Sequence, residues 1–91
     1  MKTKLKTATK VFKALAHETR LMIILGLSQG EGCNVSKIIV NLELPQSTIS
    51  QHLSILKNAG IVEGYKKGNE VCYKVIDEKI IQVLKDMDLF K

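Results

Sequence analysis

The segment from Glu18 to Ser28 carries Leu21, Met22, Ile23, Ile24, Leu25 and Leu27. At helical spacing these side chains point in almost every direction, so the segment has no broad polar face to offer water and belongs at the centre of a bundle. Gly30 and Gly32 stop it. The remaining elements must provide its cover, and aromatic residues are only 4% with no Trp, so the contacts are aliphatic.

That cover is readable on both sides. Leu5, Ala8, Phe12, Leu15 and Ala16 recur at helical spacing and predict a first helix ending near His17. Downstream, Asn34 suits the N-cap of a short third helix over Val35 to Leu42, because its side chain accepts a bond from an orphan amide. The turn Glu43-Leu44-Pro45 ends that helix; the proline disfavours helix at Leu44 and suits the first turn of another. A fourth helix is expected from Gln46 to Ala59, apolar along Ile49, Leu53, Leu56 and Ala59, with Gly60 in the C-terminal cap.

Beyond Gly60 the period changes from helical to alternating. Ile61 to Lys66 and Glu70 to Ile76 predict two strands, joined by a Lys67-Gly68-Asn69 turn. Asp77 then caps a last helix carrying Ile80, Ile81, Val83, Leu84, Met87 and Phe90. The expected class is mainly α with a β-hairpin, in the order α-α-α-α-β-β-α, as a single domain over residues 1–91.

Several function classes drop out. The longest apolar stretch, Leu21 to Leu25, is too short to span a bilayer, and lysines at 2, 4, 6, 10 and 13 interrupt any signal-peptide core. Two cysteines, Cys33 and Cys72, are too few for a secreted disulfide scaffold, so a cytoplasmic protein without a membrane partner is expected. There is no Gly-rich phosphate loop, nucleophile elbow or acid/base pair, which argues against an enzyme and implies no cofactor.

The net charge of +5 is unevenly placed. Residues 1–20 hold six basic side chains against Glu18 alone, whereas residues 21–91 hold eight basic and eight acidic residues. Whether this basic arm reaches a polyanion or is only solvated stays open at this point.

The polar side of the fourth helix carries the functional signal. Gln46, Ser47, Thr48, Ser50, Gln51 and Ser54 stand where a solvated face would favour Glu and Lys. Short hydroxyl and amide side chains let a helix approach the major groove closely, and Gln pairs in bidentate fashion with adenine. The third helix, tight turn and fourth helix form a helix-turn-helix, with the hairpin tip at Lys66 and Lys67 as a basic wing. The plain alternative is a polar surface helix with no partner.

The stretches FKALAHETRLMIILGL and LPQSTISQHLSILKNAGIVEGYKKGNEVCYKV resemble the ArsR/SmtB family of winged-helix bacterial repressors over residues 11 to 76. The resemblance implies a homodimer on double-stranded DNA, binding an inverted-repeat operator. It places base contacts on Gln46, Ser47, Ser50 and Gln51. Backbone and wing contacts fall on Thr48, Lys57, Lys66, Lys67 and Asn69. It also puts a dimer seam on the first and last helices, at Phe12, Leu15, Ile80, Leu84 and Met87; the alternative for the last three is ordinary core.

The family's usual metal sites are broken. Its paired thiolates at the third helix are replaced by Asn34 and Ser36, and on the last helix Asp77 matches the pattern but Lys79 stands where a His is needed. No metal is expected, and His17 and His52 read as structural residues. In winged helices the residues before the third helix often form a short strand beside the second wing strand. That would bring Cys33 toward Cys72 as a thiol-redox or persulfide switch, with Lys74 a nearby cation. The alternative is two ordinary reduced side chains. The inducer stays unassigned. A winged-helix protein-interaction module or a constitutive DNA-binding regulator are the rival functions; single-strand RNA readers need an aromatic platform, and Tyr65 and Tyr73 read as wing-strand residues instead.

Overall fold

In the computed structural model, which describes residues 1–90, five helices and one hairpin follow in the expected order. They are α1 (Lys2–Leu15), α2 (Glu18–Ser28), α3 (Val35–Ile38), α4 (Gln46–Asn58), β1 (Val62–Lys67), β2 (Glu70–Val75) and α5 (Glu78–Asp86). Helix α2 is the hub: α1, α3, α4 and β2 all pack on it, and Ile23 and Ile24 are wholly buried. Leu56 of α4 and Ile61 beyond it are equally inaccessible. Each such side chain contributes about 1.5–3 kcal/mol through burial. Helix α3 approaches α2 closely because residue 26 is glycine: a Cβ there would lie 2.5 Å from Ile38 Cγ2.

Local chemistry sets the helix ends. His17 caps α2 by accepting a bond from the Thr19 amide, Asn34 caps α3 through the Lys37 amide, and Asp77 caps α5 through the Lys79 and Ile80 amides. At the end of α4 the Ile61 amide donates to the Leu56 carbonyl and the Gly60 amide to that of Lys57, a Schellman pair that needs Gly60 at φ +73°. The hairpin pairs Val62 with Val75 through Lys67 with Glu70, closing on Gly68-Asn69 with Gly68 at φ +64°.

Three expectations need correction. The third helix does not run to Leu42: it ends at Ile38, and a 3-10 turn occupies Val40–Leu42. The β-branched run Ile38-Ile39-Val40 is a poor helix former, and Glu43 turns left-handed at φ +51°. The last helix stops at Asp86, because Asp88 adopts φ +62° and the Leu89 amide turns back to the Leu84 carbonyl. Met87 and Phe90 therefore lie beyond it. The first strand begins at Val62, one residue late, since the Ile61 amide is spent on the cap of α4. Within the protomer, Leu15, Ile80 and Leu84 are buried in the core. Of the five seam residues, Phe12 and Met87 are exposed, each at 62%.

Replacing Gly60 by Ala isolates the conformational cost of the α4 cap, since an added Cβ meets nothing within 4 Å. Urea unfolding should show a loss of about 1–2 kcal/mol, the cost of a left-handed non-glycine residue. An unchanged midpoint would mean that the cap relaxes without penalty.

Candidate nucleic-acid interface

Helix α4 buries Ile49, Leu53 and Leu56 and is thereby fixed in rotation. Its outer side exposes Gln46, Ser47, Ser50, Gln51, Ser54 and Lys57, while Thr48 is half-buried at the edge. The helix starts after Pro45, whose carbonyl accepts from the Thr48 and Ile49 amides. Across the tight turn, the Ser36 hydroxyl donates to Gln46 Oε1 at 3.2 Å, which ties α3 to the start of α4. The result is a helix-turn-helix whose outer face is mostly Ser and Gln, with Lys57 its one charge and the exposed Ile55 beside it.

Lys66, Lys67 and Asn69 lie exposed at the hairpin tip. Lower in the hairpin, Lys74 Nζ sits 3.2 Å from Glu63 and 5.8 Å from the Tyr65 ring centroid, so its charge is already engaged. Opposite Gly64, the Tyr73 ring occupies the space a Cβ would need.

The wing is held to α3 in three ways. The Tyr73 amide donates to the Cys33 carbonyl at 2.9 Å, extending the strand pairing to the residues before α3. Glu70 Oε1 accepts from Lys37 Nζ at 2.6 Å and from Asn34 Nδ2 at 3.2 Å. The hydrogen bond from Lys37, then its charge, then Asn34 hold the Glu70 carboxyl below its ordinary range. The third tie is a disulfide joining Cys33 and Cys72, 39 residues apart in sequence and 4.7 Å apart between Cα atoms. Cys72 is fully buried and Cys33 half-buried.

The residues at the broken metal positions have other work. Asn34 caps α3 and bonds Glu70, Ser36 bonds Gln46, and Asp77 caps α5. Among the described residues no cluster of three or more His, Cys, Asp or Glu side chains is arranged to hold a metal ion. Nor is any helix long and apolar enough to cross a membrane.

A second polar joint was not visible in the linear pattern. Arg20 donates from Nε to the Ala14 carbonyl at 2.6 Å and from a terminal nitrogen to His52 Nδ1 at 3.1 Å. The His17 ring lies 4.6 Å from that of His52, centroid to centroid. Arg20 thus connects the end of α1 to α4 through partners six and 32 residues away, a spacing that no local periodicity encodes.

Residues 17–64 match the arsR family of bacterial regulatory proteins. The chain belongs to that family. Over 85 residues it is 42% identical to an uncharacterized HTH-type transcriptional regulator of Methanocaldococcus jannaschii, covering 93% of this chain and 96% of the relative. The crystal structure of the transcriptional repressor PagR of Bacillus anthracis superposes with a TM-score of 0.79 at 31% identity, covering 96% of this chain and 99% of that one. A homodimeric winged helix-turn-helix DNA-binding domain of Mycobacterium bovis superposes at 0.76 and 31% identity, over 96% and 85% of the two chains. The arsR fold accounts for the whole element order: a winged helix-turn-helix of regulatory proteins, not an enzyme scaffold.

The arsR core places a titratable group behind α4. Burial first, then His17 and Arg20, lowers the His52 pKa from its ordinary 6.5. A depressed histidine pKa favours the neutral folded form, so its stabilisation is complete above pH 6.5 and declines as pH falls below it. Urea midpoints should therefore drop as pH falls below 6.5, and less steeply for His52→Gln. Equal slopes in the two proteins would contradict this role.

Proposed function

We propose that this chain is a homodimeric, sequence-specific transcriptional repressor that reads an inverted-repeat operator. Helix α4 enters the major groove through Gln46, Ser47, Ser50 and Gln51. Thr48 and Lys57 flank the backbone, and the wing residues Lys66, Lys67 and Asn69 lie on phosphate or the minor groove. The observation carrying this reading is the exposed outer face of α4, where short neutral donors and acceptors stand on a helix held rigidly by its buried side. A protein-docking surface would instead favour aromatic, Met or Arg anchors at its centre, and this face carries none. Dimerisation is supported by the apolar residues left uncovered on α1 (Leu5 and Phe12), on α5 (Val83) and just after α5 (Met87), and by the homodimeric relative of known structure.

Gln51→Ala discriminates between reading bases and merely touching DNA. Without its bidentate bonds, binding should weaken by about 1–3 kcal/mol on the preferred site and little on random duplex. Equal weakening on both would remove Gln51 from base recognition.

Release is assigned to thiol oxidation at Cys33 and Cys72. A peroxide oxidises the Cys33 thiolate to the sulfenic acid, with the alkoxide or hydroxide leaving and taking up a proton. The Cys72 sulfur then displaces the sulfenic oxygen as water, forming the S–S bond. A persulfide donor reaches the same disulfide in two steps: the Cys33 thiolate takes the donor's outer sulfur as its S–S bond breaks and the donor thiolate leaves, and the Cys72 sulfur then attacks the Cys33 sulfur and expels hydrosulfide. The two sulfurs join the entry of α3 to β2, so the signal acts where reader and wing meet. Reduced protein should bind its site tightly, peroxide-treated protein should release it, and Cys33→Ser should ignore peroxide. Equal binding before and after oxidation would make the chain a constitutive regulator.

A further inference from the structure

Helix α1 is charged against its own stability. Its first turn contains Lys2 and Lys4 and no acidic residue, and its N-cap Met1 makes no side-chain bond, so positive charge meets the positive end of the helix dipole. Lys2, Lys6 and Lys10 follow at i, i+4 spacing, where like charges repel. Residues 1–10 are all exposed; only Val11, Ala14 and Leu15 reach the core. The two ion pairs among the described residues are Lys37–Glu70 and Lys74–Glu63, so no α1 lysine has an acidic partner.

At 3.6 residues per turn, Lys2, Lys6, Lys10 and Lys13 share an arc of roughly 80°. They run for about 17 Å along the helix. Leu5 and Phe12 form the adjoining edge, and a shallow groove between the two edges is lined by Leu5, Lys6, Thr9, Lys10 and Lys13. One strand of B-DNA presents a phosphate every ~3.4 Å of axis, so about five phosphates pass along that length. Meanwhile α4 offers only Lys57, and the residues after Arg20 carry no net charge.

We propose that the lysine face of α1 is a second DNA-binding surface, which takes the phosphate backbone of duplex flanking the site read by α4. This rests on the DNA-binding reading above. The lysines supply charge without sequence information, while the neutral α4 face supplies sequence information with little charge. A lipid surface fits less well. The exposed part of α1 has only Leu5 and Phe12 as large apolar groups beyond its terminal Met1, and Thr3, Thr7 and Thr9 lie between. The C-terminal end of α1 is anchored toward α4 through Arg20, so a load on the arm is borne by the reader's own framework.

The test is the salt dependence of duplex binding by the full chain carrying Lys2→Gln, Lys6→Gln and Lys10→Gln together. The slope of log K against log salt should become shallower by about 0.9 for each phosphate no longer neutralised, up to about 5 for two protomers. The ratio of specific to random affinity should be preserved. Arginine at the same three positions should keep the wild-type slope, and Lys6→Gln alone should flatten it by up to about 2, which guards against a folding defect in the triple variant. An unchanged slope, with the preferred site still bound, overturns the proposal and leaves the repressor reading intact. Wild-type protein that binds no duplex overturns that reading and this surface with it. An unchanged DNA slope with lysine-dependent binding to phosphatidylcholine–phosphatidylserine vesicles would assign the face to a membrane instead.

Discussion

Every other feature of this protein depends on the need to cover α2. Ile23 and Ile24 at its centre are inaccessible to water, and neighbours arrive from four elements. Leu15, Ile80 and Leu84, on the first and last helices, are buried in the protomer's core. Helix α3 reaches α2 only because residue 26 lacks a side chain. Helix α4 buries one apolar stripe, leaving its polar stripe a single direction to face. The outward polar face of α4 is thus a consequence of core packing: the same side chains that stabilise the fold orient Gln46, Ser50 and Gln51 outward.

Polar joints then couple that surface to the rest of the molecule. Arg20 connects the last turn of α1 to His52 on the back of α4, and Glu70 draws the wing onto Lys37 and Asn34 at the start of α3. The Cys33–Cys72 bond lies beside the second joint, and the Tyr73–Cys33 backbone bond runs alongside it. The hairpin is therefore tied to the helix-turn-helix by covalent, ionic and backbone bonds. A change at the two sulfurs would be felt in the relative placement of hairpin and helix-turn-helix, with no separate sensor domain needed. In the repressor reading, the division of labour continues outward: neutral α4 discriminates and the basic arm of α1 attracts.

The element order was legible because each boundary had local chemistry. Asn34, Pro45, Gly60 and Asp77 mark helix ends whatever the tertiary context, and Val71, Tyr73 and Val75 show a period that no helix shares. The rotation of α4 was equally clear from Ile49, Leu53 and Leu56. The linear pattern says less where distant packing decides. An apolar residue such as Ile80 is written identically whether it meets its own core or another protomer. The break at Ile39 depends on a left-handed Glu43 that no sequence rule demands, and Asp88 likewise ends α5 by a backbone choice. The Arg20–His52–His17 group had no linear signal, because its members are brought together only by the docking of α4 behind α2.

The central claim is that a two-fold pair of α4 helices reads DNA sequence. Selection of bound sites from random duplex DNA by the reduced full chain tests it most directly. The claim predicts enrichment of an inverted repeat whose half-site centres lie about 10–10.5 base pairs, or a multiple, apart. Recovery of unenriched sequence, or of single half-sites without a symmetric mate, would contradict it.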